Sequence, residues 1–452
     1  MYKKLPDVLI ASLKNVKGFD EENFLLAHQE AASVTSVRYN PLKLPFILQP
    51  DLPANKVQWC PYGFYLNERP NFTQDPIFHA GAYYVQEASS MFVWQVLEQY
   101  FSKDEKIKAL DLCAAPGGKS TLLASYFNNG LIVCNEVIKA RAAVLLENTV
   151  KWGSGNMVVS NNDPKQFARL EGYFDLLLID APCSGSGLFR KDVEAVNEWS
   201  EENVALCNAR QKRILADALP ALKENGVLIY STCSYSGEEN EQIGEWLLQN
   251  FSLESIRMPL CEGVVETEFL NGFGYRFYPG KIKGEGFYLS VFRKKETGSF
   301  TGFAKQKLTP ASKQEMAVLS EWLTTEAHDF FKQNEKIFAV HKDWSSDLSI
   351  LQQHLYLRKA GTTIGAVKGK DLIPAHDLAT SVLPLSEKIQ KVALDKTDAL
   401  QYLKRKEIER KIVQKGWTIF SYNGLNLGWA KILPNRMNNY YPMEWRILKE
   451  RL

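Results

Sequence analysis

The sequence predicts an α/β protein built on a doubly wound, mostly parallel sheet of the Rossmann type, and three observations support this. Short apolar runs alternate with helix-length segments between residues 105 and 295. The runs are continuously apolar, as strands buried on both faces of a parallel sheet are. A Gly-Gly pair directly follows the first run, at the turn where ligands bind in such sheets.

The strands and helices follow from these runs. The sheet strands are expected at 107–113, 130–137, 156–161, 174–180 and 226–231. Helices are expected at 119–127, 139–152 and 201–222, and an added antiparallel pair at 273–278 and 286–292. Upstream, residues 20–35 indicate a helix. Residues 36–43 indicate a strand running into a turn, because Asn40-Pro41 disfavours helix.

The rest of the chain is arranged around this region. With 452 residues, 45% of them hydrophobic and 23% charged, the chain suits several ordinary globular domains. We expect an N-terminal subdomain over 1–100, the sheet domain over 101–295 and a polar linker over 296–315. A mixed α+β region over 316–452 follows, and the sequence leaves open whether it is one domain or two.

Composition excludes several classes of protein. No apolar run reaches the ~18 residues of a membrane span, and the N-terminal apolar run is shorter than a signal-peptide core. The seven cysteines are scattered without a Cys-x-x-Cys pair, so we expect a reducing, cytoplasmic setting and no metal. Residues 401–452 carry eleven Lys and Arg against four Glu, which fits either a solvated surface or contact with nucleic acid.

The first strand is followed by a turn suited to a nucleoside, Asp111-Leu112-Cys113-Ala114-Ala115-Pro116-Gly117-Gly118-Lys119-Ser120. Its spacing matches neither a dinucleotide-binding loop nor a phosphate-binding P-loop. At later strand ends, Glu136 can accept both ribose hydroxyls of an adenosine, Asp163 can accept the adenine amino group, and Asp180 follows. Each acid alone is equally a turn or helix-cap residue. Together they favour a nucleoside without a phosphate chain, and S-adenosylmethionine fits.

Two cysteines stand at the ends of neighbouring strands, in Asp180-Ala181-Pro182-Cys183-Ser184-Gly185 and Ser231-Thr232-Cys233-Ser234. Both thiols should therefore open onto the cofactor crevice, although buried cysteines are commonly core residues. A thiolate added to C6 of cytosine makes C5 nucleophilic, and a second thiol or a water can then remove the C5 proton. Asp180 is placed for contact with N3 of that ring.

These runs, in this order and spacing, resemble the Nop2/Sun family of RNA (cytosine-5) methyltransferases. The resemblance implies a Rossmann-like catalytic domain that uses S-adenosyl-L-methionine, with Cys233 as the nucleophile and Cys183 assisting proton removal and enzyme release. It implies that residues 113–119, Glu136, Asp163 and Asp180 contact the cofactor or the target base. Arg141 stands where the family often has an arginine.

The resemblance extends to both ends of the chain. Residues 36–43 resemble the family's N-terminal RNA-side motif, and 81–87 resemble the segment before the catalytic domain. Residues 435–442, with 428–431, resemble the PUA-like RNA-binding tail of the bacterial RsmF-type branch. This implies 16S ribosomal RNA, or a 30S assembly particle, as partner of a monomer without membrane contact. Residues 278–280 depart from the family pattern, whereas 284–287 keep it.

The basic C-terminal region also contains side chains suited to RNA. Aromatic residues there are candidates for base stacking and basic residues for phosphate contacts, although core packing explains any single aromatic equally well. The candidates are Trp417, Trp429, Tyr440, Tyr441 and Trp445, with Lys431, Arg436 and Arg446.

Three alternatives remain. A methyltransferase acting on an exocyclic amine or a protein typically has Asn/Asp-Pro-Pro-aromatic at the fourth strand, and Asp180-Ala181-Pro182-Cys183 argues against it. A catalytically reduced RNA-binding ribosome-assembly factor is disfavoured because both thiols are present. Another RNA, such as tRNA, stays open as substrate, and the sequence does not identify the cytosine.

Overall fold

We describe the fold from a computed structural model, which defines residues 4–29, 34–48, 53, 55–296, 300, 302, 308–408 and 414–448. Residues 297–299, 301 and 303–307 of the linker expected at 296–315 lie outside these described residues.

The N-terminal part surrounds a small antiparallel sheet with strand order β2-β1-β3. Its elements are α1 (Asp7–Leu13), α2 (Glu21–Gln29), β1 (Thr35–Tyr39), β2 (Gly63–Leu66), α3 (Pro76–His79), β3 (Tyr83–Val85) and α4 (Val93–Tyr100). The strand predicted at 36–43 is confirmed as β1, which ends just before Asn40-Pro41. The helix predicted at 20–35 is confirmed as α2 over Glu21–Gln29, while residues 30–33 lie outside the described residues and Thr35 already belongs to β1.

The middle of the chain forms the predicted α/β unit. Its elements are β4 (Lys108–Asp111), α5 (Gly118–Tyr126), β5 (Leu131–Asn135), α6 (Lys139–Trp152), β6 (Met157–Ser160), β7 (Phe174–Asp180), α7 (Val193–Glu198), α8 (Glu201–Ala218), β8 (Leu222–Thr232), α9 (Glu241–Asn250), β9 (Leu253–Ser255), β10 (Val265–Phe269), β11 (Gly272–Phe277) and β12 (Phe287–Lys294). The predicted alternation and the antiparallel pair are both confirmed.

The strand order places the functional turns at one edge of the sheet. Neighbouring strands run β8-β7-β4-β5-β6 and are all parallel, with antiparallel β12, β11 and β10 beyond β8. The chain moves outward from β4 through β5 and β6, then returns to the other side of β4 for β7 and β8. The carboxyl ends of β4 and β7 therefore flank the point where the winding reverses, which is where open α/β sheets bind ligands.

The C-terminal part builds two further sheets, with strand orders β13-β14-β16-β17 and β18-β19-β20-β21. Its elements are α10 (Lys313–Leu319), β13 (His328–Gln333), β14 (Lys336–His341), α11 (Ser345–His354), β15 (Leu357–Ala360), β16 (Thr362–Lys368), β17 (Asp371–Pro374), α12 (His376–Thr380), β18 (Gln390–Ala393), α13 (Lys396–Leu403), β19 (Gly416–Tyr422), β20 (Leu425–Ile432) and β21 (Met437–Asn439). The short strand β15 leaves this part and pairs antiparallel with β6 of the central sheet.

The segment at 36–43 joins the N-terminal part to the sheet domain instead of facing solvent. Arg38 is fully buried. Its Nη2 donates to the Gly118 carbonyl at 3.1 Å, its Nε donates to Gln86 Oε1 at 2.8 Å, and its guanidinium carbon lies 4.7 Å from the Trp152 ring centroid. Lys43, also buried, donates to two backbone carbonyls. These side chains hold the N-terminal part against the turn that follows β4 and against α6.

Replacing Arg38 with alanine is expected to lower the free energy of unfolding by about 3 kcal/mol, because it opens a cavity and leaves buried acceptors unsatisfied. Chemical denaturation of the full chain measures the change. Arg69→Ala is the matched control, since this arginine of the same part is exposed, with its guanidinium carbon 5.4 Å from the Phe72 ring centroid, and its loss should cost well under 1 kcal/mol. An unchanged unfolding midpoint for Arg38→Ala would show that the junction does not depend on it.

Among the described residues, no helix combines the length and apolar character needed to cross a membrane. The same residues include no group of three or more His, Cys, Asp or Glu placed to hold a metal ion.

Candidate active site

The turn after β4 forms one wall of a cleft at the carboxyl edge of the sheet. Gly117 has a φ of +117°, in the left-handed region that favours glycine, and this allows the chain to turn directly into α5. The cleft has a volume of about 180 Å³. It is lined by residues 113–116, 118 and 119 of the turn, by Asp111 and Asp180, and by residues 84–87 and 90 of the N-terminal part.

Asp111 supplies an unsatisfied acceptor in this cleft. Its side chain is fully buried, and its Oδ2 accepts a hydrogen bond from Ser120 Oγ at 2.6 Å. Its Oδ1 has no hydrogen-bond partner within the described part of the chain. Burial raises the pKa of Asp111 to about 7. A buried acceptor without a partner is costly unless a ligand supplies the donor. The residues present therefore fit a ligand with an ammonium group, as the expected methyl donor has.

Lys119 and Asp180 connect the cofactor turn to the strand ends that carry the cysteines. Lys119 Nζ lies 2.7 Å from Asp180 Oδ2, and Ser231 Oγ donates to Asp180 Oδ1 at 2.7 Å. Burial acts against the charge on Lys119, but the Asp180 carboxylate and its hydrogen bond outweigh this and raise the pKa of Lys119. Both oxygens of Asp180 are thus held in place between the turn after β4 and the end of β8.

Glu136 is buried just after β5, and Arg141 links it to the cofactor turn. Glu136 Oε1 accepts a hydrogen bond from the Ile138 backbone N–H at 2.9 Å. Arg141 Nη1 lies 3.5 Å from Glu136 Oε2, while its Nη2 donates to the Ala115 carbonyl at 2.8 Å. The family resemblance alone pointed to Arg141. The structure places this side chain in contact with Glu136 and with the turn after β4.

Asp163 acts as a helix cap. The sequence allowed this role for it beside the predicted contact with adenine. Its Oδ1 accepts from the Lys165 backbone N–H at 3.1 Å, at the start of the 3-10 helix Pro164–Leu170. Its Oδ2 lies 3.7 Å from Arg213 Nη1. Glu136, Arg141 and Asp163 lie beyond the residues that line the cleft, and their contact with an adenosine stays a prediction.

The C-terminal part supports the loop that carries Asp163. The Tyr356 carbonyl accepts hydrogen bonds from the Asn161 backbone N–H and from Asn162 Nδ2, each at 3.1 Å. Asn162 Oδ1 in turn accepts from the Tyr356 backbone N–H at 2.9 Å. Asn161 Nδ2 donates to the Glu136 and Val137 carbonyls. The predicted adenosine side of the site thus depends on residues about 190 positions further along the chain.

The two candidate cysteines are in direct contact. Cys183 follows β7 and Cys233 follows β8, and their sulfur atoms lie 3.1 Å apart. Both are free thiols and half-buried. The hydrogen bond to Cys233 raises the pKa of Cys183 well above its usual value, and burial raises it further. The raised pKa of Cys183 favours its protonated form, and either sulfur can be the donor of the hydrogen bond that joins the two thiols.

Sequence reasoning missed Asp111 and Glu239. Asp111 begins the glycine-rich run, so a signal for it was present. Glu239 is one of several acids after β8, and it turns back to bind Ser184 and Ser234, the residues that directly follow the two cysteines. Nothing in the sequence spacing distinguishes it from its neighbour Glu238.

The structure separates the aromatic candidates of the C-terminal region. Trp429 and Tyr441 are fully buried and belong to the core. Trp417 and Tyr440 contact each other at the edge of β19 and β21, with ring centroids 4.5 Å apart, and Tyr440 is 38% exposed. Lys431 Nζ lies 5.2 Å from the Trp417 ring centroid.

Three family models match the chain in sequence. One is described as 16S rRNA methyltransferase RsmB/F and matches residues 99–293. The N-terminal domain of 16S rRNA methyltransferase RsmF matches residues 5–88, and the methyltransferase RsmF PUA domain matches residues 389–447.

Bacterial proteins of known name are similar over most of their length. The ribosomal RNA small subunit methyltransferase F of Vibrio vulnificus is 29% identical, with 97% of each chain covered. The protein of the same name from Aliivibrio salmonicida is 30% identical over 86% of this chain and 85% of its own. That from Pectobacterium atrosepticum is 33% identical over 70% of this chain and 69% of its own.

Two solved structures are similar in fold. A methyltransferase homologue from Pyrococcus horikoshii is 27% identical with a TM-score of 0.50, covering 64% of this chain and all (100%) of the other. NSun6 from the same organism, solved with SFG, has a TM-score of 0.53 at 20% identity and covers 64% of this chain and 98% of its own.

Proposed function

The chain belongs to the family of ribosomal RNA small subunit methyltransferase F, and we propose that it methylates carbon 5 of a cytosine in 16S ribosomal RNA. Its methyl donor is S-adenosyl-L-methionine. The observation that carries the proposal is the pair of free thiols 3.1 Å apart, at the ends of two neighbouring parallel strands beside the cofactor cleft. Methylation of an exocyclic amine requires neither thiol.

The Cys233 thiolate begins the reaction by adding to C6 of the cytosine. The electron pair of the C5–C6 double bond then forms a C4–C5 double bond, and the C4–N3 pair moves onto N3, which takes a proton from water. Asp180, held at 2.7 Å by the Lys119 ammonium, stabilises N3 as it gains a proton. Bound S-adenosyl-L-methionine supplies an electrophilic methyl group, and C5 of the activated ring takes it. Because cytosine in a duplex hides its C6 face, the base must be unpaired or flipped into the cleft.

Cys183 serves the second half of the reaction. After methyl transfer, C5 carries both the methyl group and its original hydrogen. Removal of that proton re-forms the C5–C6 double bond, breaks the bond between C6 and the Cys233 sulfur, and expels the enzyme as a thiolate. The largest cause of the raised pKa of Cys183 is its hydrogen bond to Cys233. Once Cys233 is bonded to C6, Cys183 can release its own proton to water and accept the one at C5.

The C-terminal part offers a surface for the RNA, which we call the aromatic edge and define as Trp417, Lys431 and Tyr440. Trp417 pairs with Lys431 across β19 and β20, and Tyr440 packs on the Trp417 ring. An exposed tyrosine and a half-buried tryptophan beside a cation suit base stacking and a phosphate contact. The contact of this edge with ribosomal RNA is part of the proposal.

Mapping 5-methylcytosine in RNA from a strain that lacks the protein tests the function. We expect one or more cytosines of 16S ribosomal RNA to lose the methyl group, and a gene encoding wild-type protein, but not Cys233→Ala protein, to restore it. Loss confined to tRNA would favour the other RNA substrate. Unchanged methylation in all RNA would favour a ribosome-assembly factor instead.

Replacing Glu136 with alanine is expected to weaken cofactor binding about 10- to 100-fold, because two charge-assisted hydrogen bonds to the ribose are lost. Isothermal titration with S-adenosyl-L-methionine alone measures this without RNA. Glu171→Ala, which removes an exposed carboxylate from the same domain, is the matched control and should bind normally. Equal affinity in both variants would mean that Glu136 does not contact the cofactor.

A further inference from the structure

Glu239 lies behind the two cysteines and contacts the loops that carry both. It is fully buried, in the turn that follows Cys233. Its Oε2 accepts hydrogen bonds from Ser184 Oγ and Ser234 Oγ, each at 2.5 Å. Its Oε1 accepts from the Ser184 backbone N–H at 2.7 Å and from Gln211 Nε2 at 3.3 Å. One carboxylate thus binds the residue directly after each thiol.

The sheet alone does not set the distance between the two sulfur atoms. The ladder between β7 and β8 ends at Asp180 and Ser231, and one further bond joins the Ala181 N–H to the Ser231 carbonyl at 2.8 Å. Beyond that point the two chains leave the ladder. The bonds to Glu239 connect them again just past Cys183 and Cys233, which lie 3.1 Å apart at their sulfur atoms.

The two loops depend on Glu239 to different degrees. Asn240 Nδ2 also donates to the Ser234 carbonyl at 2.8 Å, and Thr232 Oγ1 accepts from the Ser234 N–H at 3.3 Å. The Cys233 loop therefore keeps other support when Glu239 is removed. The Cys183 loop is joined to the Cys233 loop further along, where the Gly187 N–H donates to the Cys233 carbonyl and the Tyr235 N–H donates to Ser186 Oγ, each at 2.8 Å. Ser184, directly after Cys183, loses both of its bonds to Glu239 and keeps the contact of its Oγ with Ser234 Oγ at 3.3 Å.

We propose that Glu239 is a positioning residue that holds the sulfur of Cys183 against the covalent adduct on Cys233, so that release of the methylated RNA depends on it more than methyl transfer does. The inference rests on the proposed function, because it needs an adduct to be released. A displacement of a reacting group by about 1 Å can cost roughly 100-fold in rate. Loss of the Ser184 bonds therefore acts on the step in which Cys183 takes part.

The test measures the fraction of enzyme in a denaturant-resistant adduct with RNA, together with single-turnover methyl transfer. The RNA is unmethylated 16S ribosomal RNA, supplied free and as 30S subunits from a strain lacking the protein. For Glu239→Gln we expect release to slow about 10- to 100-fold, with adduct accumulating, while single-turnover transfer changes far less. Glu266→Gln is the control. It removes a buried carboxylate of β10 that is bound to Arg257, and it should show no extra adduct.

A second pair of variants keeps the test decisive if Glu239→Gln does not fold. Ser184→Ala and Ser234→Ala each remove one hydroxyl bonded to the same oxygen at the same distance of 2.5 Å. We expect adduct to accumulate with Ser184→Ala and not with Ser234→Ala. Wild-type adduct levels in Glu239→Gln and Ser184→Ala, alongside accumulation in Cys183→Ala, would overturn this inference alone. Absence of methyl transfer to this RNA by the wild-type enzyme would overturn the proposed function.

Discussion

Replacement of Cys183 by alanine is expected to leave the enzyme covalently attached to its RNA. Cys233 can still add to C6 and C5 can still take the methyl group, but no thiol then removes the C5 proton. Turnover should fall by about 10²- to 10⁴-fold, the usual contribution of a positioned base. Denaturing gel electrophoresis after incubation with RNA and cofactor should show a slowly migrating protein–RNA species, which disappears on treatment with ribonuclease.

The control for Cys183→Ala is Cys261→Ala, which removes another half-buried free thiol of the same domain. It should turn over normally and leave no stable adduct. Accumulation of adduct in a Cys233→Ala variant, rather than in Cys183→Ala, would exchange the roles of the two cysteines. Normal turnover by Cys183→Ala would show that a water or another group removes the C5 proton.

Replacement of Cys233 by alanine is expected to abolish methyl transfer, with a loss on the order of 10⁴-fold or more, because the step that activates C5 is gone. The cofactor cleft lies on the turn after β4 and on Asp180, so binding of S-adenosyl-L-methionine should be unchanged. Transfer of labelled methyl groups to RNA measures the first effect, and calorimetric titration with the cofactor measures the second.

The Cys183→Ala/Cys233→Ala double variant separates the two contributions. Like Cys233→Ala alone, the double variant should show neither methyl transfer nor adduct. The release step cannot limit a reaction that has not begun. Substantial methyl transfer by Cys233→Ala would contradict covalent catalysis, whatever adduct forms with Cys183→Ala.

The central sheet could be predicted closely from the sequence because each strand is a continuous apolar run that ends in a distinctive turn. The run at 174–180 and strand β7 coincide, and α6 spans the predicted residues 139–152. The placement of Cys183 and Cys233 at neighbouring strand ends followed from the same logic, since parallel strands bring their carboxyl ends to one edge, whereas the direct contact of their sulfur atoms was not predicted.

Contacts between distant segments could not be predicted in this way. The burial of Arg38 against the Trp152 ring, and the pairing of β15 with β6, join parts that no local pattern connects. Glu239 belongs to the same class, because its contact with Ser184 spans 55 positions and is fixed by tertiary packing alone. Asp163 caps the 3-10 helix Pro164–Leu170, and its predicted contact with a ligand stays a prediction.

The most direct test of the proposed chemistry uses 16S ribosomal RNA that carries tritium at C5 of its cytosines. Methylation at C5 must expel the hydrogen bonded to that carbon, whereas methylation of the exocyclic amine or of ribose leaves it in place. The account predicts that one tritium is released to water for each methyl group transferred by the wild-type enzyme. Methyl transfer to this RNA with its tritium retained would contradict it.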